Sequence, residues 1–219
     1  NLFGAYTYNI VENSQYLPTS VWANGQAYKG TKKRESLLGN MMLTYKKNWK
    51  KHFFDVLALA ELQKETYTGY YTTVSNFSTD KFGYNNLQAG ALRLWEGTNS
   101  YYDQPRLASF MGRFNYTYAD RYVLTLNART DASSKFGANH KWGFFPSASA
   151  AWVISEEEFM KQLPMVDNLK FRIGYGLAGN QSGIDSYTTL NLVKPNGVVP
   201  VGNSAVVSLG DLRNTNPDL

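Results

Sequence analysis

The sequence contains no cysteine, and only two of its 219 residues are histidine. Disulfide frameworks, thiol nucleophiles and cysteine-ligated metal sites are therefore excluded. His52 and His140 are far apart in the sequence, and a lone imidazole is a weak metal signal. We expect neither a metal nor another cofactor.

The sequence also lacks any run of 18 or more apolar residues, which excludes a transmembrane helix. Sixteen Tyr, twelve Phe and five Trp make the chain 15% aromatic, and it contains 18 Gly. This composition favours β-strands and close backbone approaches over helices. The strands of a membrane barrel alternate in polarity, so they would show no apolar run.

Strong charge of one sign is absent as well, since the formal net charge is +5. The basic excess lies in clusters at residues 32–34, 46–47 and 50–51. Basic patches can bind nucleic acid, but these lysines lie at predicted turns and loops and do not line one strand face. We therefore expect no nucleic-acid partner.

Residues that could support catalysis have simpler explanations. Asp131, His140 and either Ser133 or Ser134 match the residue types of a catalytic triad, but a triad is defined by its geometry. A polar loop supplies the same residue types freely. The acidic run at residues 156–158 suits the first turn of a helix. We predict that the protein is not an enzyme.

The stretch RFNYTYADRYVLTLNART, residues 113–130, alternates with the period of two that is typical of strands. If Tyr118 pairs with Tyr122 across a three-residue turn, the apolar sets of the two arms fall on one face of an antiparallel hairpin. That face carries Phe114, Tyr116, Leu124 and Leu126. The opposite face carries Arg113, Asn115, Asn127 and Arg129.

Other stretches of the chain give further expectations. We predict a hairpin around residues 48–52, a strand from Trp142 to Ile154, and a strand over residues 169–177 with Phe171 and Ile173 opposite Arg172. We predict long polar loops at residues 9–35 and 67–105, both at the same end of the sheet. SEEEFMKQL, residues 155–163, predicts a short helix that begins at Ser155 with a capping box to Glu158. We predict no closing strand after residue 183.

Two features favour a membrane barrel. Long and short connections alternate along the chain, as they do in outer-membrane barrels. The ten residues from Trp142 to Trp152 span about 26 Å along a membrane normal, close to the apolar band of about 25 Å in such barrels.

An Arg that faced lipid at mid-depth would cost about 2–4 kcal/mol. We therefore predict that one face meets lipid, namely Phe114, Tyr116, Leu124, Leu126, Phe171 and Ile173. The other face lines the lumen, namely Arg113, Asn115, Asn127, Arg129 and Arg172. A soluble carbohydrate-binding β-sandwich and a surface adhesin remain alternatives.

Two segments carry a family resemblance, RTDASSKFGANHKWGFFPSASAAWVISEEEFM at residues 129–160 and NLKFRIGYGLAGNQ at residues 168–181. They resemble the barrel of SusC/RagA-family TonB-dependent outer-membrane transporters of Bacteroidota, and the match covers most of residues 37–183. The resemblance implies an all-β fold, as part of a large plugged antiparallel barrel of the 22-stranded class. We expect residues 1–219 to form a partial barrel domain of about seven or eight strands, without the plug or the TonB box.

The resemblance also implies a location in the bacterial outer membrane and the uptake of oligosaccharides or peptides. The partners it implies are a SusD-like surface lipoprotein that acts as a lid and the TonB–ExbB–ExbD complex that supplies energy. Trp95, Tyr101 and Tyr102 lie in a predicted external loop, where aromatic rings can stack on a ligand or pack on a lid. Packing against neighbouring loops explains them equally well.

Overall fold

The structure, a computed structural model, describes residues 1–162, 165–216 and 218. The described residues form β-strands joined by loops and short 3-10 turns. The strands are β1 (Leu2–Leu17), β2 (Gln26–Trp49), β3 (His52–Phe77), β4 (Gly90–Leu92), β5 (Thr98–Asp103), β6 (Arg106–Tyr118), β7 (Tyr122–Ser133), β8 (Trp142–Val153), β9 (Lys170–Gly176), β10 (Leu192–Val201) and β11 (Ser204–Arg213). Within these residues, no helix is long and apolar enough to cross a membrane.

The main sheet has the order β1-β2-β3-β6-β7-β8-β9, and the short strands β4 and β5 both pair with β3. The prediction of an all-β fold is confirmed. The described residues form eleven strands, nine in the main sheet and two in a separate sheet, where about seven or eight were predicted. Strands β1 and β9 are at the two ends of the order, so this part of the chain forms an open sheet.

The hairpin of β6 and β7 has the register that the alternation predicts. Tyr118 pairs with Tyr122, Phe114 with Leu126, and Arg113 with Asn127. The turn bends sharply because Ala119 and Asp120 have φ angles of 52° and 57°, in the left-handed region that suits hairpin turns. The same antiparallel register continues through β8 and β9.

By its internal contacts the chain divides into two units. The first comprises Asn1–Gly4, Gly39–Gln63 and Arg106–Leu219. In this unit, the short connections lie side by side at one end of the strands. The Ala119 N–H donates to the Lys51 carbonyl at 2.7 Å, and the Val153 N–H donates to the Arg121 carbonyl at 2.7 Å.

The prediction of a helix that begins at Ser155 is wrong. Two 3-10 turns, Ile154–Glu156 and Glu158–Gln162, occupy the segment, and position 163 of the prediction lies outside the described residues. Glu157 between them is extended, with φ −77° and ψ 148°. The Ser155 N–H donates to the Leu169 carbonyl at 3.1 Å, so this end of the segment bonds to the chain just before β9 and does not start a helix.

The second unit comprises Ala5–Leu38 and Lys64–Pro105. Here the prediction of two long loops is wrong, because β1, β2 and β3 run far into both stretches, and β4 and β5 add two more strands. The true connections are residues 18–25 and the irregular stretches within residues 78–105. Polar residues occupy both phases of much of residues 9–17 and 67–77, so the period of two that marks a strand is weak there.

A small core and a hydrogen-bonded cluster around Asp80, here called the clasp, join the two connections of the second unit. Ala27, Val74 and Phe77 are buried there. The Asp80 carboxylate accepts hydrogen bonds from the Tyr16 hydroxyl at 2.6 Å, the Thr19 N–H at 3.0 Å and the Thr19 hydroxyl at 2.8 Å. The bond from Tyr16, followed by those from Thr19, holds the pKa of Asp80 below its ordinary value. The two connections therefore lie together.

Beyond residue 183 the chain forms a hairpin that the sequence analysis did not predict. Strands β10 and β11 form their own two-stranded sheet, in which Val201 pairs with Ser204. The turn between them has Gly202 at φ +61°. Gly202-Asn203 between two valine-rich runs is a hairpin signal, but Pro195 and Pro200 weaken the strand pattern.

Candidate functional site

The polar face of β6, β7 and β8 carries a connected set of side chains. The Arg129 Nε atom donates to both Asp131 carboxylate oxygens, at 2.9 and 2.8 Å, and the Arg129 Nη2 atom donates to the Ser109 hydroxyl at 3.1 Å. The Asn127 amide donates to the Ser147 hydroxyl at 3.1 Å. A partly exposed ion pair contributes only about 0–1 kcal/mol to stability, so this set mainly fixes where its donors and acceptors point.

A cavity of about 560 Å³ opens beside this polar set. Its wall combines side chains of β6, β7 and β8 with the loop after β7 and the chain that follows β9. The residues that line it are Leu107, Met111, Asn127, Arg129, Asp131, Ser133, Phe136, Phe145, Ser147, Leu177, Ala178, Gly179, Asn180 and Gln181. The segments SSKFG, WGFFPS and GLAGNQ, which are separate in the sequence, meet here.

The Phe145 ring packs directly on two glycines, which fixes one wall of the cavity. A Cβ atom at Gly143 would lie 2.6 Å from the ring, and one at Gly179 would lie closer still. Neither position has space for a side chain unless the ring moves. Glycine at these two positions therefore lets the far end of the Phe145 ring approach the backbone closely.

The opposite face of the same strands is apolar and exposed. Two shallow grooves of about 350 Å³ each run along it. One groove lies between Met41 and Leu43 of β2 and Phe110 and Phe144. The other is lined by residues of β6 to β9, namely Tyr116, Tyr122, Val123, Leu124, Ala150, Ala151, Trp152, Phe171 and Ile173.

Cross-strand pairing shows which predicted residues the sheet brings together. Leu124 lies between Tyr116 and Ala150, and Ala150 pairs in turn with Ile173. Leu126 pairs with Phe114, and Trp152 with Phe171. The six residues of the apolar set thus occupy one face.

The residues of the polar set follow the alternate positions. Arg113 pairs with Asn127, and Asn115 pairs with Thr125. Arg129 and Asn127 line the cavity together. Arg172 pairs with Ala151 on the neighbouring strand, away from this cluster.

The described part of the chain buries few hydrophobic side chains, namely Ala27, Leu57, Val74, Phe77 and Met160. Ile173 is 64% exposed and Leu126 43% exposed, although both lie mid-strand. A β-sandwich would bury such residues between two packed sheets. The soluble-sandwich alternative is therefore wrong for this sheet.

A second polar cluster lies at the short-turn end of the sheet, around Glu157. Its carboxylate accepts hydrogen bonds from the Tyr122 hydroxyl at 2.7 Å, the Trp152 Nε1 atom at 3.0 Å and the Arg121 Nη1 atom at 3.0 Å. The bond from Tyr122, then that from Trp152, holds the pKa of Glu157 below its ordinary value. Glu157 thereby fastens the segment after β8 to the turn between β6 and β7.

The three aromatic residues predicted to bind ligand do not form one platform. Trp95 lies in a 3-10 turn, while Tyr101 and Tyr102 are consecutive in β5 and so point to opposite faces of the strand. Tyr101 covers Gly69 on its paired strand, where a Cβ atom would lie 2.6 Å from the hydroxyl. Tyr102 is 61% exposed and accepts a hydrogen bond from the Gln104 amide at 2.7 Å.

The residues that match a triad are engaged elsewhere. Arg129 binds the Asp131 carboxylate. The Ser133 hydroxyl accepts from the Lys135 N–H at 3.3 Å, and the Ser134 hydroxyl accepts from the Arg106 N–H at 2.9 Å. Among the described residues, no group of three or more acidic, His or Cys side chains could hold a metal ion.

The roles of Asp131 and Glu157 were not predicted from the sequence. Asp131 is two residues from Arg129 on the same strand, so the period of two already placed both on one face. Glu157 gives no such signal, because its partners Arg121, Tyr122 and Trp152 approach from two other segments.

Comparison with known proteins identifies the family. The family model described as "TonB dependent receptor-like, beta-barrel" matches residues 1–219. TonB-dependent receptor P3 of Formosa agariphila is 35% identical over 186 residues, which are 82% of this chain and 18% of that protein. TonB-dependent receptor SusC of Bacteroides thetaiotaomicron is 31% identical over 186 residues, which are 83% of this chain and 18% of that protein.

Solved structures share the fold. A chain of the RagAB peptide transporter superposes with a TM-score of 0.81 at 21% identity and matches 100% of this chain. This chain spans 24% of that one and about a fifth of the length of the curated relatives. The chain therefore belongs to the family of TonB-dependent receptor-like β-barrels of the bacterial outer membrane, and its relatives include SusC.

Proposed function

We propose that this chain forms part of the wall of a TonB-dependent importer that takes up oligosaccharides or peptides. The observation that carries the proposal is the two-faced sheet. One face exposes large apolar side chains along β2, β3 and β6 to β9, and the other carries the Arg129–Asp131 set and its cavity. Such a sheet suits a barrel that separates lipid from a polar interior.

The apolar face, with Phe114, Tyr116, Leu124, Leu126, Phe171 and Ile173, meets lipid in this proposal. The lumen face holds Arg113, Asn115, Asn127, Arg129 and Arg172. Partly exposed charges support this direction. The Arg129 and Asp131 side chains of this face are 39% and 21% exposed. A wet or protein-filled lumen supplies partners for such groups, and hydrocarbon does not.

The relatives leave the substrate class open between glycan and peptide. The structural neighbours are described as the RagAB peptide transporter and importer, while SusC is named only as a TonB-dependent receptor. In this chain, Trp95 and Tyr102 offer exposed rings that can stack on a sugar or pack on a peptide side chain. Tyr101, which covers Gly69, is better suited to shaping the loop.

The partners follow from the same proposal. A SusD-like surface lipoprotein would cover the barrel at the long-connection end, and the TonB–ExbB–ExbD complex would supply energy. The RagAB neighbours support the pairing with a surface lipoprotein, because they share the fold of this chain.

Uptake by cells that make the full-length protein tests the proposal. Producing cells and a deletion strain are incubated with defined mixtures of oligosaccharides and of peptides, and mass spectrometry measures what disappears from the medium. We expect producing cells to deplete one class, and a protonmotive-force uncoupler to abolish the depletion. Equal depletion by the deletion strain, or depletion that survives the uncoupler, would contradict energised import.

A further inference from the structure

One basic residue lies on the apolar face, at the short-turn end of β2. Lys46 forms an ion pair with Asp55 at 3.8 Å, on the polar side of the strands. The Trp49 ring stacks on His52 at 5.7 Å, on the apolar side. Because side chains alternate along a strand, Lys47 shares its face with Trp49 and not with Lys46.

Neighbouring residues place Lys47 in a belt of exposed rings. Tyr45 and Trp49, two positions away on either side, are 63% and 62% exposed. The His52 ring contacts Tyr118 at 5.0 Å, and Tyr118 contacts Tyr122 at 6.3 Å. Aromatic girdles of this kind mark the boundary between hydrocarbon and head groups.

The depth of Lys47 suits a head group. It lies three residues from the turn at Lys50 and Lys51, or about 8 Å along the membrane normal for a tilted strand. A lysine stem can lie along apolar surface while its ammonium group reaches the polar boundary.

The charges at this end favour an anionic ligand. Lys47, Lys50 and Lys51 are all exposed, and the adjacent turn contributes Asp120. Asp55 is paired with Lys46 on the other face, and Glu157 is occupied by Arg121, Tyr122 and Trp152. Residues 47–52 thus carry three lysines and no acidic residue, next to an apolar surface.

We infer that Lys47, with Lys50 and Lys51, binds the phosphate of an anionic glycerophospholipid whose acyl chains lie along Tyr45 and Trp49. The inference rests on the proposed lipid-facing side of the sheet. The short-turn end of an outer-membrane barrel is periplasmic, which assigns the site to the periplasmic leaflet and not to the lipopolysaccharide leaflet.

Native mass spectrometry of the full-length protein tests this site. Delipidated protein in detergent is titrated with phosphatidylglycerol, and the bound fraction is compared among variants. We expect Lys47→Gln to weaken binding about fivefold, the loss of one lysine near an anionic surface. Lys46→Gln is the matched control and should bind as the wild type does, as should Lys47→Arg. A Lys50→Gln, Lys51→Gln double variant should also bind less.

Assembly of each variant is checked separately by its heat-modifiable migration on gels, so a failure of the barrel is distinguished from a failure of the site. Undiminished phosphatidylglycerol binding by assembled Lys47→Gln would overturn the inference while leaving the membrane face untouched. Equal losses in Lys46→Gln and Lys47→Gln would also overturn it, since only overall charge would then matter. Lys47-dependent retention of lipid A in preference to phosphatidylglycerol would overturn the leaflet assignment.

Discussion

At Gly179 the lack of a side chain decides how the cavity wall packs. The Phe145 ring occupies the place that a Cβ atom would need. Arg129 and Asp131 line the same cavity, so a shift of the ring would alter the surroundings of the ion pair. This glycine belongs to the GLAGNQ segment, which gives that segment a physical role in packing.

We predict that Gly179→Ala destabilises the folded barrel by about 1–3 kcal/mol, the usual cost of overpacking. Gly183→Ala is the control, since a Cβ atom there meets nothing within 4 Å. Thermal unfolding of the full-length protein in detergent measures both variants. A Gly179→Ala midpoint equal to those of the wild type and Gly183→Ala would show that the ring has room to move.

Glu157 acts at the same scale through its charge. Because the pKa of folded Glu157 lies below the ordinary value of 4.5, its carboxylate stabilises the fold above pH 4.5. The contribution is lost as the pH falls through the folded pKa.

We predict that Glu157→Gln unfolds at a lower temperature than the wild type at pH 7, and that the gap closes as the pH falls below 4.5 and through the folded pKa of Glu157. Circular dichroism during heating in detergent, from pH 3 to pH 7, measures the gap. Glu156→Gln, at an exposed neighbouring position, should match the wild type throughout. A gap that is constant with pH would mean that the carboxylate charge contributes nothing.

At the scale of elements, strand length separates what could be predicted from what could not. Strands β2 and β3 have 24 and 26 residues, whereas about 9–11 residues suffice to cross a membrane. Segments with one apolar face alternate visibly, so the register of β6 and β7 was predictable. Segments with polar residues on both faces, such as residues 9–17 and 67–77, were predicted as loops. The hydrogen bonds between the strands nevertheless continue through them.

The candidate site was predictable to the same extent. The period of two placed Asn127 and Arg129 on one face. It could not predict that Phe136 and Gln181 converge on that face, because loops far apart in the sequence bring them there. The predicted helix at Ser155 failed because bonds to Leu169 and the partners of Glu157 outweigh local capping.

The clasp at Asp80 yields a prediction about the connections of the second unit. The two carboxylate oxygens of Asp80 accept three hydrogen bonds. An Asn side chain at this position would have only one acceptor oxygen. We predict that Asp80→Asn loosens residues 78–82 and speeds trypsin cleavage after Lys81 in intact cells. Glu96→Gln in the same unit is the control. Unchanged cleavage of Asp80→Asn would show that the small core around Phe77 holds the connection by itself.

For the molecule as a whole, the central claim is that one face of the sheet meets lipid and the other meets the lumen. The exposed apolar side chains and the small number of buried ones both follow from this claim. On this claim, the exposed apolar side chains become buried only against lipid and the rest of a barrel. The stability of the chain therefore depends on assembly in the membrane.

Assembly of two variants of the full-length protein tests the claim most directly. Leu126 and Asn127 are neighbours on β7 with side chains on opposite faces, so they form a matched pair. An Arg that faces lipid at mid-depth costs about 2–4 kcal/mol, and one that faces the lumen does not. Heat-modifiable migration of outer-membrane fractions measures the folded barrel. We predict that Leu126→Arg lowers the folded amount while Asn127→Arg assembles as the wild type does; normal assembly of Leu126→Arg alongside failure of Asn127→Arg would contradict the account.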